Sequence, residues 1–115
     1  MTQLHILSGG AAFGLVSKLE GAFAADTGCT LVGTYNAVGA MRDQLLAGAP
    51  CDVVILTAAL IAQLEASGHV AAGSARALGT VRTGIAVNAG DAALAVGTPD
   101  ELKAALRAAA GIYFP

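Results

Sequence analysis

Leu4-His5-Ile6-Leu7-Ser8-Gly9-Gly10-Ala11-Ala12-Phe13-Gly14-Leu15-Val16 is the stretch whose reading decides the architecture. Leu4 to Ser8 is a short apolar run that Gly9-Gly10 ends, and beyond it Ala12, Val16, Leu19 and Phe23 recur at helical spacing as far as Gly28. An apolar block, a glycine turn and a 3.6-residue period read as strand, turn and helix. The same unit then repeats in kind. Thr30 to Tyr35 reads as a second strand, and Val38, Met41 and Leu45 mark a helix from Ala37 to Ala47 that Gly48 stops. Asp52 to Leu56 reads as a third strand, whose unbroken Val-Val-Ile-Leu run predicts a parallel, central position buried on both faces. Thr57 is placed to cap a helix carrying Leu60, Ile61 and Leu64, which Gly68 ends.

The pattern loosens from His69 to Ala77. Leu78 to Asn88 is the longest strand candidate, with Gly84 marking a bend or bulge. Thr98-Pro99-Asp100-Glu101 combines an N-cap, a proline at the first helical position and a capping box, ahead of Leu102 and Leu106. Ile112 to Pro115 reads as a fifth strand. Strands alternating with helices predict an α/β three-layer sandwich with a mainly parallel sheet and right-handed crossovers. Two segments are expected: residues 1–77 as a βαβαβα unit, and residues 78–115 as a crossing strand with a helix and a last strand after it. In such sheets ligands lie beyond the carboxyl ends of the strands. The loops of interest are therefore Ser8 to Ala12, Asn36 to Gly39 and Thr57 to Ala59.

Composition narrows the function. The chain has 115 residues, 56% apolar and 12% charged, with a formal net charge of −2. Surface-to-size scaling for a chain of this size gives burial of roughly 65% of the unfolded surface, enough for one core without disulfide or metal staples. Alanine accounts for 27 residues, Phe and Tyr together for five, and tryptophan is absent, so that core is built from small side chains. Acidic and basic residues are scattered singly, which leaves no basic stripe for nucleic acid. The mean hydropathy is +0.69, yet the longest uncharged stretch, Met1 to Ser17, contains Gln3, His5, Gly9 and Gly10 and is no transmembrane helix. It also lacks the basic start and small-residue end of a secretory signal. As written, the sequence predicts a cytoplasmic chain, or a periplasmic one if it is a trimmed mature form.

Catalytic chemistry is sparse. His5 falls inside a strand pattern and His69 follows a helix-ending glycine, readings that need no ligand. There is no H-x-x-E-H, C-x-x-C, G-x-S-x-G or G-x-x-x-x-G-K-[ST] pattern, so no metal, cofactor or catalytic residue is expected. Cys29 and Cys51 each precede a strand. If those strands flank the first, the thiols stand about two strand spacings apart, roughly 9.6 Å, beyond the ~7 Å reach of a disulfide. Both read as free, small apolar side chains. The Gly9-Gly10 turn suits either a tight strand-to-helix connection or an anion at a helix N-terminus. Its G-G-x-x-x-G spacing gives a flavodoxin-like nucleotide binder only weak support.

A joint pattern goes further. Ile6-Leu7-Ser8-Gly9-Gly10-Ala11-Ala12-Phe13-Gly14-Leu15, Phe23-Ala24-Ala25-Asp26-Thr27-Gly28, Gly39-Ala40-Met41-Arg42-Asp43-Gln44-Leu45 and Gly48-Ala49-Pro50-Cys51-Asp52-Val53-Val54-Ile55 form an ordered series. With Gly68-His69-Val70 and Ile112-Tyr113-Phe114-Pro115, it resembles the N-terminal half of the molybdate-type substrate-binding proteins of ABC transporters, of the type 2 periplasmic-binding-protein fold. The resemblance implies a non-catalytic solute binder in which two lobes close on a tetrahedral oxyanion. It implies a site at Ser8, Gly10, Ala11, Ala12, Asn36, Val38, Gly39 and Thr57. Ala11 and Val38 stand where that family usually places serines, which implies a weakened or altered site. Family members are about twice as long, and in them the Leu78 to Asn88 strand leads across the hinge. Either residues 78–115 are that crossing strand and the start of a second lobe, or they fold back to give a flavodoxin-like sheet of five strands. Uncovered apolar surface would in either case favour a homodimer or a structural module that self-associates.

Overall fold

The computed structural model describes residues 2–114. It has the order β1 (Thr2–Gly9), a 3₁₀ turn (Gly10–Ala12), α1 (Phe13–Thr27), β2 (Cys29–Asn36), α2 (Val38–Leu46), β3 (Val53–Ile55), α3 (Ala58–Ala66) and α4 (Pro99–Ala108). The three strands form a parallel sheet in the order β2-β1-β3. This is the α/β architecture that alternation of strand and helix predicts. The chain divides into two compact units, Met1–Thr80 and Val81–Pro115.

In the first unit β1 pairs with β2 along its whole length, from Thr2↔Cys29 to Gly9↔Asn36, and with β3 from Ile6↔Val53 to Ser8↔Ile55. Asp52 fastens the start of β3. Its N–H donates to the His5 carbonyl at 2.8 Å and its Oδ2 accepts from the His5 N–H at 2.7 Å. The connections β1-α1-β2 and β2-α2-β3 run in opposite directions along the sheet, so right-handed crossovers place α1 and α2 on opposite faces. The core is correspondingly small: Ile6, Leu7, Val16, Met41 and Leu64, with the Met41 side chain at 0% exposure. Gly28, at φ 73°, closes α1 by donating to the Ala24 carbonyl at 2.9 Å, a left-handed position that costs glycine no Cβ clash.

Three expectations need correction. The sheet has three strands among the described residues, not five. Leu78 to Asn88 is not a strand and shows no bulge at Gly84, and residues 112–114 are likewise outside any strand; Pro115 lies outside the described residues. Backbone N–H and C=O groups make a strand only when a neighbour takes them up, and among the described residues neither segment has a ladder partner. All residues from 71 to 95 are exposed. The third correction concerns β3, which is parallel but flanks the central β1. With only one neighbour, Val53 stays 44% exposed, despite the apolar run that predicts burial on both faces.

The second unit contains α4. Thr98 caps it by accepting from the Glu101 N–H at 3.2 Å, and Pro99 occupies the first turn. The Glu101 carboxylate reaches back to the Gly97 N–H at 2.9 Å, one residue before the cap. This shifted capping box and the acidic first turn, Asp100 and Glu101, suit the positive end of the helix dipole.

Candidate functional site

The register sets the geometry. Gly9 lies beside Asn36, and Ser8 lies beside Tyr35 on one side and Ile55 on the other. The three strands therefore end at one edge of the sheet, and the segments that leave them, Gly10–Ala12, Ala37–Gly39 and Leu56–Thr57, leave from that edge. All eight residues picked out from the sequence are on or next to it. Gly10, Ala11, Asn36 and Thr57 are exposed, while Ala12, Val38 and Gly39 are half-buried.

Ser8 differs. It is 0% exposed, and its hydroxyl donates to the Gly9 carbonyl at 2.8 Å. Two further polar side chains are also engaged locally. Asn36 Oδ1 accepts from the Ala37 N–H at 2.8 Å, and Thr57 Oγ1 accepts from the Leu60 N–H at 3.4 Å as the N-cap of α3. What remains at this edge is backbone. The 3₁₀ turn, α1 and α2 have no side-chain cap on their first turns, in contrast to α3 and α4. Because α1 continues the 3₁₀ turn and its Phe13 N–H donates to the Gly10 carbonyl, the free N–H groups here are those at the start of the turn and in the first turn of α2, donors suited to a negative charge.

Several residues that matter here carry no recognisable motif. Gly9 is one: a Cβ on it would lie 2.8 Å from Val38 Cγ1, so the first residue of α2 packs directly on the backbone at the end of β1. Arg42 is another. Its Nη2 lies 3.7 Å from where a Gly39 Cβ would be, one turn into α2, and its sole ion pair among the described residues is with the neighbouring Asp43 at 3.0 Å. Its Nε donates to the same Asp43 oxygen at 3.0 Å, so the carboxylate offsets the guanidinium charge beside the start of α2, and the exposed pair adds little stability. Phe13 and Tyr35 make an edge-to-face contact with ring centroids 5.0 Å apart and planes at 83°. Burial, then the charge of Glu20, push the Tyr35 phenol above its ordinary value, so it is a neutral hydroxyl at pH 7.

A concavity lies away from this end of the sheet, lined by Glu20, Gly21, Ala24, Thr30 and Leu31. These residues belong to the later part of α1 and the start of β2, the opposite end of the sheet. Its shallow, open form and its one carboxylate do not make a site for an anion. The thiols of Cys29 and Cys51 are free and half-buried. Burial first, with help from the charge of Asp52, raises the Cys51 thiol against the lowering effect of backbone bonds at Leu7 and Val53. Among the described residues no group of three or more His, Cys, Asp or Glu side chains is placed to hold a metal ion. No helix among them is long and apolar enough to cross a membrane.

A match to the bacterial extracellular solute-binding proteins runs over residues 4–112. The chain belongs to that family. A comparison with curated proteins finds no match. As a solute-binding protein, the chain has its open helix starts at the end of a parallel sheet, the place where α/β folds take up ligands. The family match spans both units and so includes α4 and the segment before it.

Proposed function

We propose that the chain forms one wall of an anion-binding cleft in a solute-binding protein related to the molybdate and oxyanion binders of ABC transporters. It acts by binding and release, without catalysis, on the outer side of the membrane. The observation that carries this reading is the convergence of uncapped helix starts at one sheet edge in a chain of the solute-binding family. The N–H groups of Gly10 and Ala11 and of Val38 and Gly39 supply the donors, with the Arg42 guanidinium, paired to Asp43, beside them. Asn36 and Thr57 border the same edge, and Ser8 supports it from beneath.

Side-chain donors are short at the lip, where Ala11 and Val38 carry none. A hydrogen bond to a charged partner contributes about 1.5–3 kcal/mol, so two fewer such bonds weaken tetrahedral oxyanion binding by roughly two to four orders of magnitude. A single wall also encloses less of a ligand than a competent small-molecule site does. Calorimetry with molybdate, tungstate and sulfate tests this. Weak heats, with affinities well above micromolar Kd, are expected; micromolar binding of molybdate would show that Ala11 and Val38 do not limit the site.

Self-association is a second reading with its own support. Leu78, Val81, Ile85, Val87, Leu94, Ile112 and Phe114 are exposed large apolar side chains on segments outside the sheet. Such surface favours a second copy. Light scattering at rising concentration decides, since a strictly monomeric species removes this reading.

A further inference from the structure

We propose that the free edge of β2 pairs antiparallel with the same edge of a second copy, so that two first units share one continuous sheet across a two-fold axis. This interface is separate from the apolar segments outside the sheet. The two edges of the sheet differ. β3 is three residues long and is approached through Pro50 and Asp52, features with which proteins blunt an exposed sheet edge. β2 has none of them. It runs for eight residues, Cys29-Thr30-Leu31-Val32-Gly33-Thr34-Tyr35-Asn36, without a charge or a proline, and its register with β1 is unbroken by any bulge. An edge strand directs the N–H and C=O groups of alternate residues away from its one neighbour. Among the described residues, Thr30 to Tyr35 make no hydrogen bond outside the ladder with β1, and bonds from other groups stop at the strand ends, Thr27 Oγ1 with the Cys29 N–H and Asn36 Oδ1 with the Ala37 N–H. Val32, at 40%, Gly33 and Thr34 are exposed in the middle of the strand.

The edge itself identifies its occupant. With no charge on β2, two copies bring no like charges opposite each other, and a partner recognised by charge finds nothing there to pair with. Along the strand Leu31, Gly33 and Tyr35 share the face on which Tyr35 meets Phe13, while Thr30, Val32 and Thr34 share the other. A two-fold axis perpendicular to the sheet keeps like faces together. Centred on Val32, it sets Val32 against Val32 and each Thr30 against Thr34, β-branched and threonine pairs that stabilise neighbouring strands. Centred on Gly33, it would set two glycines together with nothing to pack. In the Val32 register Leu31 lies opposite Gly33 of the second copy. A Cβ on Gly33 would lie 2.7 Å from Tyr35 Oη and 2.8 Å from its Cζ, so the tyrosine ring lies back over this position and meets Leu31 of the other copy. A glycine within a strand marks such a close approach.

Size-exclusion chromatography with light scattering, on the full chain at rising concentration, tests the proposal. The unaltered chain is expected to approach twice the monomer mass. Val32→Lys and Val32→Glu each set like charges opposite one another across the axis, and each is expected to return the mass to the monomer value. A mixture of the two variants pairs opposite charges and is expected to restore the dimer. Ile85→Lys, on a segment outside the sheet, is expected to change nothing. A dimer that survives both Val32 substitutions, a mixture that stays monomeric, or a dimer that Ile85→Lys dissociates would overturn the proposal and leave self-association through the apolar segments standing. A strictly monomeric unaltered chain would overturn both. Should the Val32 variants fail to fold, hydrogen exchange of the unaltered chain decides. Alternate amides from Thr30 to Thr34 are expected to gain at least tenfold protection between dilute and concentrated solution while those of Val53–Ile55 stay unchanged, and equal protection at both concentrations would overturn the proposal.

Discussion

Val53–Ile55 and the segment from Val81 to Asn88 are built from the same kind of residues, and only the first is a strand. Val53–Ile55 is the shorter of the two and has no better intrinsic propensity. It succeeds because β1 lies beside it and Asp52 ties the approach to His5 through both its backbone N–H and its carboxylate. Residues 81–88 have Val, Ile and Thr in fair alternation and no ladder partner among the described residues. The difference teaches that strand formation here is a property of the pair and not of the segment. It also separates a unit with buried side chains, from Ile6 to Leu64, from one in which α4 is secured by its own local bonds.

Hydrogen exchange gives the largest contrast. Amides of Leu4 to Ser8 are expected to exchange orders of magnitude more slowly than those of Val81 to Asn88, since only the former are bonded on the inside of a sheet. Comparable protection in both segments would mean that the second has found a partner, within the chain or in a second copy. Next in size is Met41→Ala. It empties a fully buried site, and a loss of about 2–5 kcal/mol is expected in denaturant unfolding. Asp52→Ala removes the carboxylate acceptor of the His5 N–H and is expected to cost about 1–3 kcal/mol, with the increase in exchange concentrated at β3. Asp52→Asn retains an acceptor oxygen and should recover part of that loss.

Thr98→Ala addresses the other member of the comparison. It removes the cap from α4 and is expected to cost that helix about 0.5–2 kcal/mol, visible as lost helicity in circular dichroism. The smallest effect is with pH. Burial raises both the Cys51 thiol and the Tyr35 phenol, so the fold favours their protonated forms. Their contribution is complete below the ordinary thiol range and declines as pH rises through and beyond it. The melting temperature is therefore expected to fall above about pH 9, and the decline should be shallower in Cys51→Ala combined with Tyr35→Phe.

Much of this was legible in the order of residues because the signals are local. The glycine turn after Ser8, the threonine caps at Thr57 and Thr98 and the stop at Gly28 each act within a turn of chain, and each is present in the structure. The position of β1 between β2 and β3 was legible too, through the rule for parallel sheets. Residues 78–88 misled because their pattern describes what a strand would bury and is silent on which edge would receive it. At the candidate site, the sequence placed its residues along one end of the sheet but could not show that Ser8 turns its hydroxyl to the Gly9 carbonyl. Nor could it pair Phe13 with Tyr35, or show that Gly33 makes room for that ring. Such contacts depend on register across strands and carry no signature along the chain.

The central claim is that solute binds at the starts of α1 and α2 through main-chain donors. Titrating the ¹⁵N-labelled chain with molybdate, and then with sulfate, while watching the amide resonances tests it most directly. Shifts are expected to concentrate at Gly10, Ala11, Ala12, Val38 and Gly39, with little change around Glu20, Ala24 and Thr30 at the opposite end of the sheet. Shifts concentrated at that opposite end, or none with either ligand, would contradict it.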